Sequence, residues 1–82
     1  MVQRNVQVLA SLEARPAALF VQTASQFNSS IYLRVDNKTI NAKSIMGILS
    51  LGVLDGQSVT IIAEGQDEEQ AVDKLERFLN AV

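Results

Sequence analysis

The chain is organised around residues 41–51, which are Asn41-Ala42-Lys43-Ser44-Ile45-Met46-Gly47-Ile48-Leu49-Ser50-Leu51. Ser44 is a natural helix N-cap, because a serine hydroxyl accepts a hydrogen bond from a free backbone N–H one turn into a helix. The residues after it are apolar in too many directions for one short helix to bury, since a core-facing stripe covers only part of the circumference. We therefore expect an exposed apolar patch drawn from Ile45, Met46 and Leu49, beside a serine whose charge can be changed by modification.

The same residues also have a purely structural interpretation. In it Ser44 only caps the helix, and Met46 and Leu49 lie in the core like most large apolar side chains. On the residues alone this interpretation is favoured for Ser44, and only the crowding of apolar residues argues for the exposed patch.

Length and composition limit the class of protein. The 82 residues carry 7 Lys and Arg against 9 Asp and Glu, a formal net charge of −2, and 48% of them are hydrophobic. We expect a single globular domain over residues 1–82 with one small core. The charge gives no general attraction to nucleic acid or to an anionic membrane, so neither is expected as a direct partner.

Several absences narrow the function. The chain has no histidine and no cysteine, and its 4 glycines stand singly. The usual transition-metal ligands and the Ser-His and Cys-His catalytic pairs are therefore missing, and no nucleotide-binding glycine pattern occurs. We expect no metal, no cofactor and no enzymatic activity. The lack of cysteine, of a bilayer-length apolar run and of a signal sequence leads us to expect a cytoplasmic protein.

Four stretches have the composition of β-strands. They are residues 2–9, 31–35, 39–41 and 58–63. Apolar and polar side chains alternate along the first two, which is typical of half-buried strands. The polar residues 36–38 have the chemistry of a turn, so the second and third stretches should form a hairpin. Asp55-Gly56 predicts another turn, directly before the last strand.

Three helices are expected between and after these strands. The first begins near Ala14-Arg15-Pro16, because proline is tolerated in a first turn, and continues to about Phe27. The second follows Ser44 and ends near Gly52. The third begins after Asp67, which can form a capping box with Gln70. The expected core stripes of the first and third helices are Ala17, Phe20, Ala24 and Phe27, and Ala71, Leu75, Phe78, Leu79 and Val82. The order β-α-β-β-α-β-α predicts a two-layer α+β sandwich.

Two motifs resemble HPr, the phosphocarrier of the bacterial sugar phosphotransferase system. They are the segment 41–51 and Leu12-Glu13-Ala14-Arg15-Pro16-Ala17-Ala18-Leu19-Phe20-Val21. The resemblance covers essentially the whole chain, with both motifs on the expected elements. It implies an open-faced sandwich in which an antiparallel four-stranded sheet of order 1-4-2-3 lies under three helices.

The chain departs from that family at the phosphocarrier position, and Ser11 stands where the family usually has a glycine two residues earlier. HPr proteins carry their phosphate on a histidine directly before Ala-Arg-Pro, and here Glu13 stands at that degenerate phosphocarrier position. The regulatory serine is present as Ser44. This combination resembles the Crh-like branch, the HPr-like catabolite repression proteins of Bacillus-type bacteria. It implies phosphorylation of Ser44 by HPr kinase/phosphorylase, followed by corepression with catabolite control protein A, a LacI-type repressor.

The resemblance also implies a binding face for these partners. Its residues are Arg15, Ala18, Val21, Ser44, Ile45, Met46 and Leu49. In the competing interpretation, Arg15 is a solvated surface charge that binds no partner. Glu13 either stabilises a nearby helix start, which we favour, or mimics a phosphohistidine or repels the phosphate-donating enzyme.

Two other functions and one assembly stay open on the sequence. The chain can be a phosphate relay that uses Glu13 as an acyl-phosphate acceptor, or a small metabolite-binding domain. A strand-swapped homodimer is also compatible with a first strand joined to the first helix by a short link.

Overall fold

A computed structural model describes residues 1–9, 12, 14–51 and 56–80 of the chain. Its strands are β1 (Val2–Gln7), β2 (Ser30–Val35), β3 (Lys38–Asn41) and β4 (Ser58–Glu64), and its helices are α1 (Ala14–Ala24), α2 (Ile45–Leu49) and α3 (Glu68–Asn80). The strands form one antiparallel sheet in the order β1-β4-β2-β3. The helices cover one face of this sheet and leave the other open, so the predicted open-faced α+β sandwich is confirmed.

The core lies between the sheet and the helices. Every second side chain of β2 and β4 is buried, as the two-residue period of a strand requires for a sheet covered on one face. The ring of Phe20 from α1 meets that of Phe78 from α3 edge to face, with centroids 5.4 Å apart. This geometry suits the charge distribution of aromatic rings and joins the two long helices. The most deeply buried large side chains include Leu12, Phe20, Ile31, Leu33, Ile48, Ile61, Leu75 and Leu79.

Two predicted boundaries are wrong by a few residues. Helix α1 ends at Ala24 rather than near Phe27. The backbone tightens there, because the N–H groups of Gln26 and Phe27 bond to carbonyls only three residues back. Strand β1 ends at Gln7 rather than at Leu9. The Val8 N–H still bonds to the Gln57 carbonyl in the same register, but the Leu9 N–H bonds to the Leu79 carbonyl of α3 instead of the sheet.

The apolar face of α3 is larger than its predicted stripe. Val72 was not predicted there, yet it is as fully buried as Ala71. Phe78 is only partly buried. Val82 lies outside the described residues, as do the predicted helix end at Gly52 and the turn residue Asp55.

The predicted capping box at the start of α3 is also wrong. Asp67 does hold the backbone position of a cap, since its carbonyl accepts the first helical bond from Ala71. Its carboxylate, however, accepts hydrogen bonds from the backbone N–H groups of Asn28 and Ser29 at 2.8 and 2.9 Å and from the Ser29 hydroxyl. The Glu68 carboxylate accepts from the Gly65 N–H at 3.0 Å instead. Asp67 therefore connects α3 to the segment before β2.

A membrane-spanning helix is not among the helices of the described part, because each is too short or too polar to cross a bilayer.

Candidate functional site

Ser44 stands directly before α2 in an extended backbone conformation, with φ −106° and ψ 113°. Its Oγ atom accepts a hydrogen bond from the Gly47 N–H at 3.2 Å, and its carbonyl accepts one from the Ile48 N–H at 3.0 Å. The predicted N-cap is confirmed. The side chain is half-buried, so the hydroxyl is partly open to solvent.

Helix α2 turns one large side chain inward and three outward. Ile48 is fully buried, whereas Ile45, Met46 and Leu49 are 38%, 75% and 42% exposed. The predicted exposed patch is therefore confirmed, and the three outward residues are called the α2 patch below. The exposed parts of these side chains contribute no burial free energy to folding, although they remain available for burial against a partner. An exposed apolar cluster next to a polar cap is typical of a surface that meets a partner.

Gly47 determines how closely α2 approaches the sheet. A Cβ atom at this position would lie 2.7 Å from the Cγ2 methyl of Ile40 in β3, which is well inside van der Waals contact. The absence of a side chain lets the helix rest directly on the edge strand. The same approach holds Ser44 at the surface, because its hydroxyl is bonded to the Gly47 N–H.

The polar residues before Ser44 are held by local and long-range hydrogen bonds. The Asn41 side chain accepts from the Lys43 N–H at 2.8 Å, and the Asn41 carbonyl accepts from the Ser44 N–H at 3.1 Å. The Lys43 ammonium donates to the Phe27 carbonyl at 2.8 Å, beyond the end of α1. The approach to α2 is thus attached to the segment that follows α1.

The remaining predicted binding residues lie on α1, which packs against α2. Arg15 and Ala18 are exposed and Val21 is half-buried. The structure therefore places both groups of predicted residues on neighbouring helices. That the seven residues act as one binding face stays a prediction. Glu13 lies outside the described residues.

Leu19 is an exposed residue of α1 that the sequence interpretation missed. It is 46% exposed, more than Leu49 of the α2 patch. It lies four residues after Arg15, a spacing that places two side chains on the same side of a helix. The helical spacing from Arg15 was therefore the signal that could have identified it.

The described residues contain no group of three or more His, Cys, Asp or Glu that could hold a metal ion. The resolved pKa shifts lie elsewhere. The pKa of Asp67 is lowered, first by the Ser29 hydroxyl and then by the Asn28 N–H. The pKa of Glu68 is lowered by the Gly65 N–H and by the N-terminal ammonium, and that of Arg4 is raised by hydrogen bonds to Asp73 and Glu76. The Arg4 contacts join β1 to α3, the Asp67 contacts join the segment before β2 to the start of α3, and the Gly65 contact is local to that start.

Comparison with known proteins decides the family. The family profile described as the PTS HPr component phosphorylation site matches residues 3–81. The chain belongs to the HPr family. Its fold agrees, since the crystal structure of HPr-C-His from Thermoanaerobacter tengcongensis superimposes with a TM-score of 0.91 at 51% identity, covering 99% of this chain and 93% of that one.

Within the HPr family, the chain is similar to proteins named Crh. The HPr-like protein Crh of Bacillus subtilis (strain 168) is 52% identical over 81 residues, covering 96% of this chain and 95% of that protein. A crystal structure of B. subtilis Crh, described as a dimer with a swapping domain, matches with a TM-score of 0.79 at 51% identity, covering 98% of this chain and 94% of that one. The predicted resemblance to the HPr family and to its Crh-like branch is confirmed.

Proposed function

We propose that this chain is a regulatory HPr-like protein of carbon catabolite repression. HPr kinase/phosphorylase phosphorylates Ser44, and the phosphorylated chain acts as a corepressor of catabolite control protein A. The similarity to Crh supports a role in catabolite repression. The observation that carries it is the position of a partly open serine hydroxyl directly before the exposed α2 patch.

The modification adds charge where the local structure tolerates it. The kinase transfers the γ-phosphoryl group of ATP to Ser44 Oγ, and ADP and the hydroxyl proton leave. Roughly −1.5 to −2 charges are added at pH 7. The first residues of α2 are Ile45, Met46 and Gly47, which carry no opposing charge, and free N–H groups at a helix start favour an anion. The helix start therefore accommodates the phosphate without a change in the overall fold.

The partner reads a combination of charge and apolar area. A basic side chain of the repressor pairs with the phosphate, which turns binding on. The α2 patch supplies apolar contact area, and its Met46 adapts to an irregular partner surface because methionine is flexible and polarizable. Arg15, Ala18 and Val21 extend this surface onto α1.

The lack of histidine separates this role from phosphate transfer along the sugar-transport chain. Glu13 stands before Ala14-Arg15-Pro16, and no histidine occurs anywhere in the chain. We propose that Glu13 marks the loss of an acceptor rather than a mimic of phosphohistidine, because a carboxylate is smaller and less charged. The chain then has no catalytic step of its own and acts by binding.

A second copy of the chain is a further proposed partner. Structures of Crh and of T. tengcongensis HPr are described as dimers. In this chain β1 is an edge strand, attached to α3 through the contacts of Arg4 with Asp73 and Glu76 at 2.5 and 2.9 Å. A strand that is both the first element of the chain and an edge strand of the sheet is suited to exchange between two copies. Light scattering over a range of concentrations tests for this dimer.

Intact-mass measurement after incubation with HPr kinase/phosphorylase and ATP tests the modification. We expect the mass of one phosphoryl group to be gained. Ser44→Ala must abolish the gain. Ser50→Ala, which changes an exposed serine at the other end of α2, must retain it and serves as the matched control. An unmodified chain, or a gain that survives Ser44→Ala, contradicts the proposal.

A further inference from the structure

The Lys43 side chain is bonded to the segment that follows α1 rather than pointing into solvent. Its Nζ atom donates to the Phe27 carbonyl at 2.8 Å in a partly buried position. Phe27 lies beyond Ala24, the last residue of α1, in the segment that leads to β2. A hydrogen bond from a charged ammonium to a carbonyl is stronger than one from a neutral donor. Lys43 therefore holds this segment against the approach to α2.

The segment after α1 is held from two sides. Lys43 bonds to the Phe27 carbonyl, and the Asp67 carboxylate accepts from the N–H groups of Asn28 and Ser29. One contact comes from the residue before Ser44 and the other from the start of α3. Residues 25–29 thus link the proposed modification site to the far helix through charged hydrogen bonds.

A phosphate on Ser44 would compete for the same ammonium. Adjacent Cα atoms are only ~3.8 Å apart, and the lysine ammonium sits on a flexible four-carbon stem. A doubly charged phosphate forms a stronger, charge-assisted hydrogen bond with an ammonium than a neutral carbonyl does. The Phe27 carbonyl can turn to water instead, because its contact is only partly buried.

We propose that Lys43 is a positioning residue through which phosphorylation of Ser44 acts on the segment after α1. Its ammonium leaves the Phe27 carbonyl for the phosphate, which fixes the phosphate beside the α2 patch and removes one of the two contacts that hold residues 25–29, while the Asp67 contacts remain. This inference rests on the proposed function only in taking Ser44 as the modified residue. Gln26 and Phe27 of this segment, with Lys74 of α3, help to line a groove of about 490 Å³. A movement of the segment would therefore change the shape of this groove.

The test uses chain carrying phosphoserine at position 44 introduced during synthesis, so that no kinase is needed. The phosphorus NMR chemical shift, followed as a function of pH, gives the pKa at which the phosphate monoanion becomes the dianion. A nearby ammonium favours the dianion, so we expect this pKa to be lower in the parent than in Lys43→Met by about half a pH unit or more. Lys43→Arg should keep the lowered pKa. Lys43→Gln replaces Lys43→Met if the latter fails to fold.

Lys74→Met is the matched control. Lys74 contacts the same segment through the Gln26 side chain at 3.4 Å but is not adjacent to Ser44. Its loss removes the same charge and should leave the phosphate pKa unchanged. An equal shift in Lys74→Met would mean that net charge, not Lys43, sets the pKa, which overturns the proposal.

Backbone NMR supplies the second readout. On phosphorylation we expect the signals of the Phe27 carbonyl and the Asn28 amide to move in the parent and to stay in place in Lys43→Met. An identical phosphate pKa in parent and Lys43→Met, or unmoved Phe27 and Asn28 signals in the parent, overturns the inference. Such a failure leaves the enzymatic mass gain and the repressor binding unaffected, so the two proposals fail separately.

Discussion

The Cγ2 methyl of Ile40 fills the space that a side chain at Gly47 would need, since a Cβ there would approach it to 2.7 Å. This contact sets the height of α2 above the edge strand of the sheet. The Ser44 hydroxyl is bonded to the N–H of the same glycine at 3.2 Å. The position of the proposed switch residue therefore depends on the packing of a glycine against a β-branched side chain.

Gly47→Ala should destabilise the fold. An alanine gains up to about 1 kcal/mol over glycine by helix propensity, but overpacking against a stiff β-branched residue costs about 1–3 kcal/mol. We expect a net loss of about 1 kcal/mol in the free energy of unfolding, measured in urea. The double variant Gly47→Ala/Ile40→Leu should recover part of this loss, because leucine lacks the methyl on Cβ. A single variant more stable than the parent would show that the close approach has no energetic effect.

Asp67 should make the stability depend on pH in acid. Hydrogen bonds from the Ser29 hydroxyl and the Asn28 N–H lower its pKa in the folded chain, so the folded state favours the ionised carboxylate. Its contribution is fully present above the ordinary carboxyl pKa of about 4 and is lost as the pH falls through the lower folded value. Urea midpoints between pH 2 and pH 6 should fall more steeply in the parent than in Asp67→Asn.

Glu64→Gln is the control for this measurement, since it removes one carboxylate at an exposed position of β4. It should keep the acid dependence of the parent. Parallel curves for the parent and Asp67→Asn would contradict the assigned role of Asp67.

Local patterns predicted most of the elements, and long-range contacts account for the errors. Alternation gave the strands, and the crowding of apolar residues after Ser44 gave the exposed α2 patch. The strand order came from the resemblance to HPr, because periodicity does not say which strands pair. The capping box failed because Asp67 and Gln70 have the right local spacing, whereas the true partners of the Asp67 carboxylate lie 38 and 39 positions away.

The hydrogen bond from Lys43 to the segment after α1 could not be predicted from the sequence either. Its partner is a backbone carbonyl 16 positions earlier, and every residue type offers such a carbonyl. The helix end near Phe27 was misplaced for a related reason. Phe27 continues the helical spacing of Ala17, Phe20 and Ala24, but side-chain spacing does not report where the backbone tightens.

Met46→Asp should weaken repressor binding without weakening the fold. Met46 is 75% exposed, so its replacement removes little buried area from the folded chain. In the complex the new carboxylate would be desolvated within the apolar contact. With Ser44-phosphorylated chain we expect the Kd for catabolite control protein A, from calorimetry, to rise by about tenfold or more.

Tyr32→Ala is the control for the α2 patch. Tyr32 is 38% exposed on the open face of the sheet, away from the helices, so its loss should leave the Kd unchanged. Equal Kd values for the parent and Met46→Asp would remove the α2 patch from the binding surface.

Glu13→Gln should leave repressor binding unchanged, because we assign no phosphohistidine mimicry to this carboxylate. Incubation with phosphoenolpyruvate and the general phosphotransferase enzyme should likewise leave the chain unlabelled. A labile phosphate on Glu13 would support the relay function instead, and weaker repressor binding by Glu13→Gln would support the mimic.

The affinity of catabolite control protein A for the two forms of the chain tests the central claim most directly. Calorimetric titration should compare unmodified chain, chain phosphorylated on Ser44, and Ser44→Ala taken through the same kinase treatment. We expect the phosphorylated form to bind at least about tenfold more tightly than the other two, since it alone offers the repressor a charge-assisted contact. Equal affinity of the phosphorylated and unmodified forms would contradict the account.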